Sequence, residues 1–198
     1  MILYHYSVDS YRGGECLIND YKRGFRFAEP FLLALDAGEK CFWSVYYSMM
    51  ACSRELCALG LRKHENYVKD AVEGIFEHVW RSRFPGDSVS RVGCVYYCAS
   101  REEAVACLRD DCVDNGDYTF DQVKLLEVEV EDDRVFRYDQ TFYNEALAAM
   151  ERRRDLAGAL ALAERYFSRE RSGALIIEIL SDGANRVLRE LPIEGGEG

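Results

Sequence analysis

The stretch ALIIEIL, residues 174–180, places aliphatic side chains on both faces of any strand it forms, with a single acid, Glu178, among them. Side chains alternate between the faces of a strand with a period of two, so such a run must be covered on both sides. This demands layers packed over a sheet. VKLLEVEVE, residues 123–131, narrows the architecture further. Leu126, Val128 and Val130 fall on one side and Glu127, Glu129 and Glu131 on the other, as in a half-exposed antiparallel strand.

The remaining segments supply helices and further strands. ILYHYS reads as a short first strand, and Gly13-Gly14 as a turn. Residues 19–35 fit no template, apart from a short apolar element, FLLAL. Over residues 39–59, Phe42, Val45, Tyr46, Met49, Cys52, Leu56 and Leu59 recur at helical spacing, with Asp36 and Glu39 as a capping pair. A second helix, residues 65–82, groups Val68, Val72, Ile75, Phe76, Val79 and Trp80, and Phe84-Pro85-Gly86-Asp87 stops it. SRVGCVYYCAS reads as a strand. Ser100 and Glu103 form a capping box opening a short helix that buries Ala104, Val105 and Leu108.

DNGDY is a loop, and RVFRYD is expected to pair with VKLLEVEVE. One long helix is expected over residues 142–168, carrying Ala146, Met150, Leu160, Ala163 and Tyr166, with Arg152-Arg153-Arg154 as a solvated face. NRVLREL follows the turn SDGA as the last strand. Strands do not alternate strictly with helices, so the expected class is α+β with a largely antiparallel sheet. At 198 residues, with no long linker or repeat, a single domain over residues 1–194 and a flexible tail, 195–198, are expected.

Charge and cysteine usage exclude several function classes. The net charge of -10 argues against non-specific nucleic-acid binding, which is driven by phosphate neutralisation. Arg81, Arg83 and Arg91 leave room for a local basic patch. No apolar run approaches the ~18 residues of a membrane span, and MILYHYSVDS lacks the basic and apolar regions of a signal peptide, so a cytoplasmic protein with reduced thiols is expected. The eight cysteines form no Cys-x-x-Cys knuckle and lie at no finger spacing from His5, His64 or His78, so no metal is expected.

Four features carry candidate chemistry. Glu178 is costly to bury as an ion unless it is paired or partly wet, which is the environment of a functional acid. A structural partner on an edge strand explains it equally well. His5 shares a strand face with Leu3 and Ser7, the position of a satisfied structural histidine or of a ligand contact. His64 and His78, on the second helix, show no partner in the sequence. Arg91 could grip an anion bidentately or bridge one of the 35 acids. There is no G-x-S-x-G elbow and no glycine-rich phosphate loop.

The order of these signals is itself informative. LYHYS on a first strand, Ser90-Arg91 in the middle, and AERYFS followed by SGALIIEIL near the end resemble the ADP-ribosyltransferase-like superfamily, including an uncharacterised bacterial family within it. The resemblance implies two packed, largely antiparallel sheets with surrounding helices, and NAD as substrate. It implies that His5 positions the nicotinamide-side ribose, with Ser7 assisting. Arg91 would approach phosphate or carboxamide, and Tyr96 or Tyr97 would line the nicotinamide pocket. Glu178 would bond a ribose hydroxyl and stabilise the oxocarbenium ion as nicotinamide leaves. The acceptor implied is unknown and could be a protein. Arginine-modifying transferases carry an acid or amide two residues before the glutamate, where this chain has Ile176, so the resemblance does not extend to an arginine acceptor. An inactive nucleotide- or protein-binding module on the same scaffold is the alternative, and an RNA 2′-phosphotransferase is a second.

Overall fold

The computed structural model describes residues 1–17, 25–61, 67–114, 116–174 and 176–193. In chain order its strands and α-helices are β1 (Ile2–Ser7), α1 (Glu29–Asp36), α2 (Phe42–Ala58), α3 (Tyr67–Arg83), β2 (Val95–Tyr97), α4 (Arg101–Leu108), β3 (Lys124–Val130), β4 (Val135–Asp139), α5 (Thr141–Arg153), α6 (Leu156–Phe167), β5 (Ile177–Ser181) and β6 (Asn185–Leu191). The strands form two three-stranded sheets, ordered β1-β3-β6 and β2-β5-β4. The β1–β3, β3–β6 and β2–β5 pairings are antiparallel. The protein is therefore mixed α+β. RVFRYD, as β4, lies beside β5 rather than VKLLEVEVE. A strand has two edges, and those of β3 are already taken by β1 and β6.

The chain divides into two compact units. The first comprises Met1–Ile18, Val95–Arg137 and Glu178–Gly198. Its alternating strand β3 buries Leu126, Val128 and Val130 and leaves Glu129 exposed. Glu127 and Glu129 accept from Arg189 and Arg186 of β6. These exposed ion pairs contribute at most about 1 kcal/mol each, so the apolar face holds the sheet. Cys98, Ala104 and Leu125 form a buried cluster with Tyr4, Val105, Cys107, Leu191 and Ile193 packed on it. The Ser100 cap is present, accepting from the Glu103 amide, while the Glu103 carboxylate reaches back to the Ala99 amide at 2.9 Å. Gly14 turns the chain after β1 at φ +93°, a conformation that glycine adopts without strain.

The second unit comprises Asn19–Cys94 and Tyr138–Ile177. FLLAL belongs to α1, which opens with Pro30 in its first turn. Leu32 of this helix packs with Phe25, Ala28, Val45, Met49 and Val92. Asp36 ends α1 instead of capping the next helix, because its carboxylate binds His78 at 2.6 Å. That contact also supplies the partner of His78 that the sequence did not reveal. Helix α2 starts at Phe42, with Cys41 as an N-cap that makes no side-chain capping bond. His64 and the tail 195–198 lie outside the described residues.

The helix expected over residues 142–168 is two helices. Arg154 takes a left-handed conformation at φ +50° and ends α5, and the Asp155 carboxylate caps α6 by accepting from the Gly158 amide at 2.9 Å. The apolar period alone is blind to such a break; an Asp followed by LAGA is the local sign of it. Residues 91–93 form a 3-10 turn, so the strand expected from Ser90 is confined to Val95–Tyr97.

Candidate functional site

Helix α3 carries three buried acids, Asp70, Glu73 and Glu77, which the apolar pattern of the sequence concealed. Their spacing of three and four residues places them on one helical face. Buried carboxylates need donors, and each has one. Ser53 donates to Asp70 at 2.8 Å. Arg91 donates to both oxygens of Glu73, at 3.0 and 3.2 Å. Arg81 and Ser90 donate to Glu77 at 2.8 and 2.5 Å. Arg91 is itself buried, sends Nη1 to the Tyr166 hydroxyl at 3.1 Å and lies 4.0 Å from the Tyr143 ring centroid. This is the acid-bridging alternative for Arg91. With Arg81 on Glu77 and Glu29 and Arg83 on Glu164, all three arginines of the suspected basic patch are matched by acids. The run Arg152-Arg153-Arg154 is exposed, as expected.

Asp139, at the end of β4, is a fourth buried acid among the described residues of this unit. Its carboxylate accepts from the Ser172 amide at 2.6 Å, the Thr141 amide at 3.1 Å and the Ile176 amide at 3.3 Å. Burial alone would raise its pKa, but these bonds to the ionised form outweigh burial and leave the pKa well below the usual carboxylate value. The segment leading into β5 is therefore tied to an anion. The seven-residue strand expected over residues 174–180 is shorter for that reason: it begins at Ile177, and Ile176 is 46% exposed.

His5, Ser7, Tyr96, Tyr97 and Glu178 all belong to the first unit. His5 Nδ1 lies 2.8 Å from the Tyr96 carbonyl oxygen. A carbonyl only accepts, so Nδ1 carries the hydrogen and Nε2 holds the free lone pair. Burial lowers the His5 pKa below its ordinary 6.5, and the bond to Tyr96 only partly opposes this. The imidazole is neutral at pH 7. Its ring lies against Tyr97, centroids 5.9 Å apart, and beside Tyr6 at 6.1 Å. Tyr97 is thus the tyrosine whose ring meets His5, while Tyr96 contributes its carbonyl. The Ser7 hydroxyl accepts from the Asp9 amide at 3.1 Å and shapes the turn that ends β1.

β1 and β2 are joined by one isolated bridge, Tyr4 with Cys98. β1 otherwise pairs with β3 and β2 with β5, and His5 Nδ1 reaches from β1 to the Tyr96 carbonyl of β2. Glu178 is 7% exposed on β5, the central strand of its sheet, so it is not a solvent-facing acid on an edge strand. The β2–β5 register pairs Tyr97 with Ile179 and Tyr96 with Leu180. Glu178 is the next residue along, level with Cys98. By alternation it shares a face with Leu180 and Tyr96, whereas Tyr97 and Ile179 point to the other.

Among the described residues, no three His, Cys, Asp or Glu side chains gather as a metal site requires. No described helix is long and apolar enough to cross a membrane. A groove of about 670 Å³ in the second unit, lined by Glu145, Arg152, Arg153, Asp155, Gly158 and Leu162 among others, contains none of the candidate residues. No protein-family model matches the chain, and no curated protein is significantly similar to it.

Proposed function

We propose that the chain is an ADP-ribosyltransferase-like protein that binds NAD where His5 of β1 meets β2, with transfer of ADP-ribose to an acceptor. The observation that carries this reading is the His5 imidazole, locked by the Tyr96 carbonyl as an Nε2 acceptor on the strand unit that also buries Glu178. A neutral, oriented imidazole accepts from a ribose hydroxyl without reorganising. A carboxylate held in a stiff, poorly solvated strand acts strongly on the positive charge that develops as the glycosidic bond breaks. Tyr97 offers its ring beside the imidazole as an aromatic wall. Arg91 has no role in this proposal, being bonded to Glu73 and Tyr166.

One observation favours the binding module without turnover. His5 packs against Tyr97, whereas Glu178 shares its strand face with Tyr96. Arg81, Arg83 and Arg91, bonded to acids, do not supply the free cations that the substrate phosphates of an RNA 2′-phosphotransferase require. A titration decides among the readings. NAD at one hundred times its Kd should stabilise the native protein by about 2.7 kcal/mol. Glu178→Gln should keep that stabilisation and lose nicotinamide release, and His5→Ala should weaken binding. NAD binding without nicotinamide release by the native protein leaves the module. No stabilisation by millimolar NAD ends both NAD readings.

A further inference from the structure

The groove of the second unit carries charges of both signs, set apart along one helix. Arg152 and Arg153, at the end of α5, line it, and so does Glu145, two turns earlier on the same helix. Seven residues of α-helix rise about 10 Å, which sets the scale of the separation. Ala148 and Ala149 lie between the two ends, and Gly158 and Leu162 line the groove from α6. These small and apolar residues leave a volume of about 670 Å³, within the range of small-molecule sites.

The charges in the groove are not used by the fold. Arg81, Arg83, Arg91 and Arg165 of the same unit each meet an acid. Arg152, Arg153 and Glu145 are exposed and make no ion pair among the described residues. The neighbouring polar groups are engaged elsewhere. Asp155 lines the arginine end, but its carboxylate accepts from the Gly158 amide at 2.9 Å as the cap of α6. A Cβ at position 158 would lie 2.5 Å from that carboxylate, so glycine lets it fold onto the first turn. Arg154 donates Nη1 to the Tyr47 hydroxyl at 3.0 Å. Two cations and one bonded carboxylate thus stand at one end, and a lone carboxylate at the other.

We propose that this groove binds a short peptide with free termini, its C-terminal carboxylate on Arg152 and Arg153 and its N-terminal ammonium on Glu145. Three extended residues span about 10 Å, the same length as the charge separation. A guanidinium takes a carboxylate through two parallel N–H donors, and an ammonium directs its donors to a single carboxylate. A ligand with one charge leaves the other end of the groove unmatched, and a much longer extended peptide cannot place both termini at once. Selection is therefore by length and free ends rather than by side chains. The site is separate from the NAD proposal, since His5 and Glu178 belong to the first unit.

The experiment titrates the native protein with trialanine and follows backbone amides by nuclear magnetic resonance. Millimolar trialanine should give saturable shifts centred on Ala148, Arg152 and Gly158. N-acetylation or C-terminal amidation of the peptide should each weaken binding on the order of tenfold, the loss of one charge-assisted contact. Glu145→Gln should remove the penalty of acetylation, and Arg152→Gln combined with Arg153→Gln the penalty of amidation, because each penalty exists only while its partner is present. All three side chains are exposed, so these variants should keep the native melting temperature. No saturable shift in the groove, blocked peptides that bind as well as the free one, or penalties that persist in the variants would overturn the proposal.

Discussion

Removing the Arg91 guanidinium should cost far more stability than losing a helix cap or a surface ion pair. Glu73 is 1% exposed and receives bonds from Arg91 on both oxygens, at 3.0 and 3.2 Å. In Arg91→Met the volume is largely kept, but a buried carboxylate loses the cation that offsets its desolvation. The expected loss is about 3–5 kcal/mol. For a chain of this size that lowers the melting temperature by roughly 6–20 °C. The loss of the cation over the Tyr143 ring, 4.0 Å away, acts in the same direction. Glu73→Gln should also destabilise. The double variant should be less unstable than the two single losses added together, with a coupling of about 2 kcal/mol or more. Thermal and urea unfolding of the four proteins, followed by near-ultraviolet circular dichroism, measure the cycle. A loss below about 1 kcal/mol in Arg91→Met, or additive losses in the double variant, would refute the structural role. Where the variant stays folded, its NAD affinity should match that of the wild type.

Three further outcomes follow from individual groups. His5 has a folded pKa below the 6.5 it has when unfolded, so the unfolded state binds more protons in that window; stability should fall as pH drops below 6.5, and His5→Gln should flatten the slope. Nuclear magnetic resonance titration of the imidazole reads the folded pKa directly, and an ordinary value would contradict its burial. Asp139→Asn should cost roughly 2–3 kcal/mol, because an amide cannot accept all three backbone N–H groups through two carboxylate oxygens. The Asp139 contribution is present above its ordinary 3.8 and is lost as pH falls towards its lower folded pKa, so the acid-unfolding limb should be steeper in the wild type than in Asp139→Asn. Ser100→Ala should lose about 1 kcal/mol by uncapping α4, seen as a lower urea midpoint.

Strand β3 shows what a local pattern can determine. The alternation of Leu126, Glu127, Val128 and Glu129 needs only one buried face, so period and propensity specify the strand before any partner is known. The first strand ILYHYS, the Ser100 cap, the last strand NRVLREL and the broad α+β class were legible for the same reason: their signals lie within a few residues. RVFRYD pairs with a different strand from the one expected because strand choice depends on which edges are occupied, a property of the whole sheet. The expected long helix broke at Arg154 because a left-handed residue and an Asp cap leave the apolar period nearly undisturbed.

At the candidate site the same division holds. By itself the sequence marked Glu178 and His5, because an acid in an aliphatic run and a histidine in an aromatic strand are visible without coordinates; Arg91 stood out as a possible anion grip, and the resemblance added Ser7 and the tyrosine pair. Only tertiary structure decided what each touches. It bonded Arg91 to Glu73 and chose the Tyr97 ring and the Tyr96 carbonyl as neighbours of His5. Hydrogen bonds and ring contacts between distant segments depend on register and packing, and a linear pattern carries neither.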